Sequence, residues 1–213
     1  MAIKIFELPN PKGNLPLRVA KGHFATSHSH INYYVDLTQT KCKFSEAKEA
    51  AKQLAANYKT NTLVDTILCL DGTEVIGTCM AKELTEGGRH SINNLNEINV
   101  VTPEHTTGSQ LLFRENIAPM IEGKQVMILA ASITTGYTVQ GGIEAVAYYG
   151  GKTVGVCSIF SCVHECCGYP VTTIFDTDYY LNDYMSTPYN ECPLCKGGVK
   201  VDAIVNTHGI SSF

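Results

Sequence analysis

The apolar residues of this chain fall into short runs whose spacing predicts alternating helices and strands. The segment FSEAKEAAKQLAANY is predicted to be a helix with Ser45 as its N-cap and Glu46 in its first turn. One stripe of this helix would carry the apolar residues Ala47, Ala50, Ala51, Leu54, Ala55 and Tyr58. Such spacing is typical of an amphipathic helix that packs against a core.

Two further segments each predict a strand, a loop and a helix in succession. In the first, the strand LVDTILCL is broken at Asp71 and Gly72 before the helical pattern EVIGTCMAKEL. In the second, QVMILA is a strand, SITTGYT a loop, VQGGIEAVAYYGG a helix and KTVGVCSIF the next strand. This order predicts a parallel α/β sheet, in which ligands bind at the carboxyl ends of the strands.

Composition and charge narrow the class of protein. The chain has 213 residues, of which 44% are hydrophobic, so one domain with a substantial core is expected. A net charge of −4 without a run of basic residues argues against nucleic acid or an anionic membrane as a partner. The N-terminal apolar stretch is too short for a signal peptide, and no segment reaches the roughly eighteen apolar residues of a membrane helix. We therefore expect a cytoplasmic protein that acts on small molecules.

The loop SITTGYT has the composition of a phosphate-binding turn. Gly136 permits a tight turn, and the helix that follows would direct its free amides and positive dipole end to the same place. The residues assigned to phosphate binding are Ser132, Thr134, Thr135, Gly136, Tyr137 and Thr138. The alternative is an ordinary turn in which the hydroxyls only cap the helix. The loop lacks the GKS or GKT of a Walker A motif, and no GxGxxG follows a strand.

The nine cysteines suggest metal ligation or free thiols, because their number is odd and a cytoplasmic compartment is reducing. Cys192 and Cys195 form a CPLC turn of the kind that wraps a tetrahedral ion. The upstream segment SCVHECCGYP could complete a structural zinc site if the chain between it and the CPLC turn folds back on itself. That set would be Cys166, Cys167, Cys192, Cys195 and His164. The alternative is that the CPLC turn and the upstream thiols are unrelated.

Four segments, spread over roughly residues 22 to 160, together resemble a known family. They are GHFATSHSHINYYVDLT, DTILCLDGTEVIGTCMAKEL, EHTTGSQLL and VMILAASITTGYT. In this order they resemble the N-terminal segment, the pyrophosphate loop, the mobile catalytic loop and the phosphoribosyl pyrophosphate (PRPP) motif of orotate phosphoribosyltransferases. These enzymes belong to the type I phosphoribosyltransferases.

The resemblance implies the type I phosphoribosyltransferase fold, an α/β fold with a parallel-sheet core, helices on both faces and a small hood. In a single domain over 1–213, we expect a hood and helix in 1–60 and the α/β core in 61–160. A C-terminal extension, which zinc could fasten to the sheet, would occupy 161–213. Since members of this family are generally homodimers, the resemblance also implies a homodimer.

The resemblance assigns substrates and further site residues. The substrates would be PRPP with Mg²⁺ and a nucleobase, with orotate as the first candidate. His105 would be catalytic, in place of the family's loop lysine beside pyrophosphate. Pyrophosphate would contact Asp71, Gly72, Thr73 and Glu74, and the base would contact His28, His30 and Tyr34. The alternatives are a solvated loop histidine for His105, a simple turn for residues 71–74, and a surface pair for His28 and His30.

The sequence departs from the family where the family carries charge. Ala130 and Ala131 stand where it has two acidic residues that contact the ribose and steady its developing positive charge. The orotate-contacting lysine falls near Ser29 or His30, and the loop around His105 lacks a lysine. Losing one such contact costs about 2.7–4 kcal/mol of transition-state stabilisation. Two functions therefore stay open. One is an active phosphoribosyltransferase, which we favour, and the other is a catalytically degenerate PRPP- or nucleotide-binding regulatory protein.

Overall fold

The structure is a computed structural model that describes residues 3–86, 88–106, 110–206 and 209–212, and of Arg89 only the backbone. The chain forms two compact units. We call Thr40–Asp176 the central unit, and Met1–Gln39 together with Thr177–Phe213 the terminal unit. The two ends of the chain therefore fold together, while residues 40–60 and 161–176 fold with the α/β core.

The secondary structure alternates strands with helices in the middle of the chain. The strands are β1 (Phe6–Leu8), β2 (Leu17–Ala25), β3 (His30–Asp36), β4 (Thr66–Cys69), β5 (Asn99–Val101), β6 (Glu104–His105), β7 (Leu111–Leu112), β8 (Gln125–Ile133), β9 (Lys152–Ser161), β10 (Glu165–Cys166), β11 (Tyr169–Asp176), β12 (Ser186–Thr187), β13 (Ala203–Asn206) and β14 (Gly209–Ser212). The helices are α1 (Thr38–Cys42), α2 (Phe44–Ala55), α3 (Glu74–Thr85), α4 (Tyr137–Tyr148), α5 (Thr177–Tyr180) and α6 (Pro193–Lys196). Within the described ranges, no helix is long and apolar enough to cross a membrane.

A six-stranded sheet forms the middle of the central unit, in the order β10-β11-β9-β8-β4-β5. All neighbouring pairs are parallel except β10 and β11. A Cβ on Gly142 of α4 would meet the side chain of Leu68, whereas one on Gly77 of α3 would meet that of Ile67. Because successive residues of a strand point to opposite faces, α4 and α3 cover opposite faces of the sheet. The predicted parallel α/β core with helices on both faces is confirmed.

Strand β8 lies inside this sheet, between β9 and β4. Each of residues 126 to 131 is at most 5% exposed. Burying an aliphatic side chain contributes about 1.5–3 kcal/mol, which explains why this unbroken apolar run forms an inner strand. The strand continues to Ile133 and α4 begins at Tyr137, so the loop predicted over SITTGYT is confined to residues 134–136.

Helix α2 matches its predicted apolar stripe but begins earlier than expected. Its N-cap is Lys43, whose carbonyl oxygen accepts the N–H groups of Glu46 and Ala47. The prediction that Ser45 caps the helix is therefore wrong, because the chain becomes helical at Phe44 and Ser45 lies in the first turn. The six predicted apolar positions are buried, Tyr58 just beyond the helix included.

A second sheet forms the terminal unit, in the order β12-β3-β2-β13-β14, with β1 also paired to β2. β2 and β3 form an antiparallel hairpin, and β13 lies parallel to β2. The unit has a small buried core that consists of Ala20, Phe24, Ile31, Tyr34, Ala203 and Val205. Buried and exposed residues alternate along β13, as expected for a strand with one covered face.

Candidate active site

The turn between β8 and α4 brings the end of an inner strand directly to a helix N-terminus. Gly136 has a φ of 84°, in the left-handed region that favours glycine, and precedes the first helical residue, Tyr137. A Cβ at Gly136 would lie 2.9 Å from Sγ of Cys166. Backbone conformation and packing therefore both require glycine at this position.

Cys166 supports the same turn from the β10–β11 hairpin. Its thiol donates to the carbonyl oxygen of Gly136, with a distance of 3.6 Å between the two atoms. Burial, together with the neighbouring Cys167 thiol, raises the pKa of Cys166 to about 11, so the donor proton is retained at neutral pH. Cys167 and Gly168, with φ of 52° and 81°, are the two residues that connect the hairpin strands. Two predicted zinc ligands thus lie in a structural turn beside the phosphate loop.

The β8–α4 turn exposes several neutral hydrogen-bond donors. The hydroxyls of Thr134, Thr135 and Thr138 are exposed and have no hydrogen-bond partner in the described part of the chain. Ser132 is partly buried at the end of β8, and Tyr137 is exposed. The first amides of any α-helix lack intrahelical acceptors, and the helix dipole adds partial positive charge there. This combination of groups suits a phosphate.

The adjacent strand β4 ends in a second turn, which is held to β8. Asp71 and Gly72 have φ of 58° and 77°, and aspartate tolerates this region better than most residues. The Asp71 carboxylate lies beside the backbone N–H of Ala131, at the end of β8. Burial raises the pKa of Asp71, and the nearby Lys41 and His105 partly offset this rise.

Thr73 stabilises the β4–α3 turn through a buried hydroxyl. Its side chain is fully buried, and its hydroxyl lies 2.9 Å from the carbonyl oxygen of Leu70 and 3.1 Å from that of Leu129. The hydroxyl has one proton to donate, so it is shared between carbonyls of the two neighbouring strands. Of the other residues assigned to pyrophosphate, Gly72 and Glu74 are exposed.

Lys41 is a cation at this turn that the sequence did not single out. Its Nζ donates to the carbonyl oxygen of Asp71 at 2.9 Å and lies 3.7 Å from where a Cβ on Gly72 would be. His105, the predicted catalytic residue, is exposed on β6 and close enough to Asp71 to influence its pKa. Residues 107–109 of the predicted catalytic loop EHTTGSQLL lie outside the described residues. Together, Lys41 and His105 can give this turn positive charge.

The end of β8 itself carries no charged side chain. Ala130 is fully buried and Ala131 is 5% exposed, so both methyl groups pack within the central unit. The Asp71 carboxylate of the neighbouring turn nevertheless lies near this point, beside the N–H of Ala131. A carboxylate is therefore present near the end of β8, on a residue that follows β4.

The predicted base-binding residues lie in the terminal unit and differ in their surroundings. Tyr34 is 7% exposed, and its hydroxyl lies 3.5 Å from Oδ1 of Asp36. Burial, and then the Asp36 charge, raises the pKa of Tyr34 to about 12. His28 is exposed in the connection between β2 and β3, whereas His30 begins β3 and contacts a second histidine.

That second histidine is His23, and the pair forms a compact group with Cys192 and Cys195. The candidate ligand atoms of the four side chains all lie within 4.8 Å of one another. The predicted zinc set contained both of these cysteines but neither histidine. Its other members belong to the central unit, and they are Cys166, Cys167 and His164.

Comparison with known proteins extends the resemblance drawn from the motifs. No family model matches the chain. The orotate phosphoribosyltransferase of Chlorobium phaeobacteroides is 28% identical over 186 residues, which are 86% of each chain. The solved structure of Leishmania donovani UMP synthase gives a TM-score of 0.54 at 17% identity and covers 75% of this chain. This chain spans only 34% of that longer protein. The adenine phosphoribosyltransferase of Thermoanaerobacter pseudethanolicus gives a TM-score of 0.50 at 16% identity, over 81% of this chain and 95% of its own.

The sheet topology and these structural likenesses define the class: the chain has the type I phosphoribosyltransferase fold. Within this class, its sequence is similar to an orotate phosphoribosyltransferase along most of its length. The expected resemblance to a phosphoribosyltransferase of the orotate type is confirmed.

Proposed function

We propose that this chain is a phosphoribosyltransferase that transfers ribose 5-phosphate from PRPP to a nucleobase. Orotate is the first candidate acceptor, because the Chlorobium relative is an orotate phosphoribosyltransferase. The observation that carries the proposal is the β8–α4 turn. There, exposed hydroxyls of Thr134, Thr135 and Thr138 surround a helix N-terminus and offer donors to the 5-phosphate.

The departing diphosphate would bind at the β4–α3 turn. Lys41 and His105 supply positive charge there, and Gly72 leaves the backbone open to a ligand. His105 would act by offsetting the charge that develops on the diphosphate as the glycosidic bond breaks. Mg²⁺, bound with PRPP, would neutralise part of the same charge, and it needs few protein ligands because it retains waters and substrate phosphates.

We further propose that Asp71 takes the place of the missing acidic pair. The transition state of this transfer has positive charge on the ribosyl ring, and a fixed carboxylate nearby stabilises it. The Asp71 carboxylate lies beside the N–H of Ala131, one of the two positions where the family has acidic residues. One carboxylate in place of two predicts a slower enzyme rather than an inactive one.

On the base side, His28 is the proposed contact, because Tyr34 is buried and His30 is engaged with His23. A homodimer in the cytoplasm completes the proposal, as the family resemblance implies. The partners would then be PRPP and a nucleobase, with no role for nucleic acid or a membrane.

A regulatory protein that binds PRPP without turnover is the second candidate. The buried Ala130 and Ala131 favour it, since neither can contact the ribose hydroxyls. The phosphate-binding turn fits both functions equally well. Only a measurement of turnover beside a measurement of binding separates them.

The direct test follows orotate consumption by absorbance and PRPP binding by calorimetry on the same preparation, each with Mg²⁺. We expect both signals, with His105→Ala lowering kcat by about tenfold to a hundredfold while PRPP affinity changes little. His90→Ala, at another exposed histidine of the central unit, is the control. Binding without turnover of orotate or of any other base would establish the regulatory alternative, and absence of both would remove the proposal.

A further inference from the structure

We infer that the terminal unit holds a structural zinc ion, bound by His23, His30, Cys192 and Cys195. His23 lies on β2 and His30 begins β3, so one hairpin supplies both imidazoles. Cys192 is the N-cap of α6 and Cys195 lies within that helix, so one short turn supplies both thiols. This inference is independent of the proposed transferase activity.

The distances between the four side chains are close to those of a tetrahedral zinc site. Nε2 of His23 lies 3.0 Å from Nδ1 of His30, and Sγ of Cys195 lies 3.2 Å from that Nδ1 and 3.7 Å from Nε2 of His23. Sγ of Cys192 lies 3.5 Å from Nε2 of His23. A tetrahedron with Zn–N bonds of about 2.0 Å and Zn–S bonds of about 2.3 Å has ligand-to-ligand edges of roughly 3.3–3.8 Å. The two distances of 3.5 Å and 3.7 Å fall within this range, the two of 3.0 Å and 3.2 Å are slightly shorter, and no pair of the four atoms is more than 4.8 Å apart.

The surroundings of His23 fix the nitrogen that faces the thiols. Nδ1 of His23 lies 2.9 Å from the carbonyl oxygen of Val199, which can only accept, so Nδ1 carries the proton and Nε2 presents its lone pair. The His23 backbone is held on both sides, since its N–H donates to Oδ2 of Asp202 and its carbonyl accepts the N–H of Asp202. An oriented imidazole of this kind is typical of metal ligands.

A β-bulge brings His23 into this position. The register of β2 against β3 shifts between Lys21 and Phe24. A Cβ on Gly22 would lie 2.8 Å from Oδ2 of Asp202, so the bulge admits only glycine without displacing the carboxylate. Bulges commonly redirect a side chain at a functional site.

Backbone amides complete the cysteine side of the site. The backbone N–H groups of Leu194 and Cys195 lie beside the sulfur of Cys192. This is the arrangement in which a CPxC turn stabilises metal-bound sulfur. Cys192 and His23 are at most 1% exposed, whereas Cys195 lies at the surface, which gives an ion a route of entry.

Four protein ligands close the coordination sphere, so the site is structural rather than catalytic. The ion would join the hairpin of residues 17–36 to α6, more than 150 residues later in the chain. It would also take His30 away from any role in binding the base. Cys166, Cys167 and His164 would not bind this ion, since the set is complete without them.

The test measures metal content in the full chain, purified without chelator and without a histidine tag. We expect about one zinc per chain by elemental analysis, and at least a tenfold loss of zinc in Cys192→Ser/Cys195→Ser and in His23→Ala. Cys166→Ser/Cys167→Ser is the matched control and should retain zinc. Co²⁺ added to chelator-treated wild-type protein should give the visible absorption bands of a tetrahedral ion and a thiolate charge-transfer band. This measurement needs only the wild-type protein, so it tests the inference even if a variant fails to fold.

Wild-type protein with no bound zinc and no tetrahedral Co²⁺ spectrum would overturn the inference. Zinc lost from the Cys166→Ser/Cys167→Ser control but retained by Cys192→Ser/Cys195→Ser would also overturn it. None of these readouts depends on PRPP, so the zinc inference can fail or succeed separately from the proposed function.

Discussion

The two strand-to-helix turns at the same edge of the central sheet use their polar groups in opposite ways. In the β4–α3 turn, Thr73 donates to strand carbonyls and the Asp71 carboxylate lies beside the backbone N–H of Ala131, so these groups have partners within the protein. In the β8–α4 turn, the hydroxyls of Thr134 and Thr135 make no hydrogen bond to any described residue. Both turns have a similar sequence, a strand followed by small polar residues and glycine. One of them nevertheless has its polar groups paired within the protein, whereas the other, which we call the open turn, leaves its hydroxyls without partners among the described residues.

This difference indicates that the paired groups of the β4–α3 turn stabilise the fold, whereas the unpaired groups of the β8–α4 turn can bind a ligand. A buried polar group that is already paired gains little from a ligand, whereas unpaired donors beside a helix dipole gain a full set of charge-assisted hydrogen bonds. We therefore expect substitutions in the β8–α4 turn to change ligand affinity. Substitution of the buried Thr73 in the β4–α3 turn should instead change stability, whereas Lys41 and Asp71 are the residues there that we propose act on the substrate.

The largest effect is expected for Gly136→Val, in the open turn. A β-branched residue at a φ of 84°, with Cβ against Sγ of Cys166, should lower the free energy of unfolding by about 3 kcal/mol. PRPP affinity, measured by calorimetry, should fall by at least about a hundredfold. Gly141→Ala in the same helix is the control, because its Cβ would meet no described atom within 4 Å. Unchanged affinity in Gly136→Val would remove the phosphate site from this turn.

Thr73→Val should be the next largest change, and it acts on stability. The variant keeps the side-chain shape but leaves the carbonyls of Leu70 and Leu129 without the buried donor, at a cost of about 2 kcal/mol in urea unfolding. Thr78→Ala removes an exposed hydroxyl that also bonds a helix carbonyl, and should shift stability by less than about 0.5 kcal/mol. Equal effects of the two substitutions would contradict a supporting role for Thr73.

Lys41→Met tests whether the β4–α3 turn binds pyrophosphate. Pyrophosphate affinity should fall by about tenfold, or 1.4 kcal/mol, because a charged donor is lost, while ribose 5-phosphate affinity should stay the same. Calorimetric titration with each ligand measures the two effects separately. Lys52→Met, at an exposed lysine of α2, is the control. An equal loss of affinity for both ligands would contradict the proposal that the β8–α4 turn binds the 5-phosphate and the β4–α3 turn binds the diphosphate.

Asp71→Asn should have the smallest effect on stability, with a defined dependence on pH. Burial raises the pKa of Asp71, so the folded protein resists its ionisation and loses stability as pH rises through that pKa. Asparagine does not ionise, so the variant should be more stable than wild type at pH 7. The difference should vanish below the ordinary aspartate pKa of about 3.9. Unfolding curves at pH 7 and pH 3.5 check this, and a difference that persists at pH 3.5 would contradict it.

The sequence predicted the central unit well because its signals are local. The continuous apolar run of β8, the glycine after it and the helix that follows are consecutive in the chain, so spacing and composition were sufficient. The boundaries were less accurate. Lys43 rather than Ser45 caps α2, since preference for serine at an N-cap is weaker than the packing that determines where the helix starts.

Contacts between distant segments were not predictable. Lys41 reaches the Asp71 turn across 30 residues, and no motif marks it. The CPLC turn did identify Cys192 and Cys195, but their histidine neighbours are about 170 residues away, as the contact with His23 shows. From the sequence, Cys166 and Cys167 were predicted to complete the zinc site, because they are nearer to the CPLC turn along the chain. Only the pairing of β2 with β3 and β13 brings His23 to α6.

The most direct test of the central claim is an NMR titration of the amide signals with ribose 5-phosphate and then with PRPP and Mg²⁺. We expect the largest shifts at residues 134 to 139 with both ligands, and further shifts at Gly72 and Lys41 only with PRPP. If these ligands leave residues 134 to 139 unshifted, or shift another part of the chain most, the β8–α4 turn does not bind the 5-phosphate.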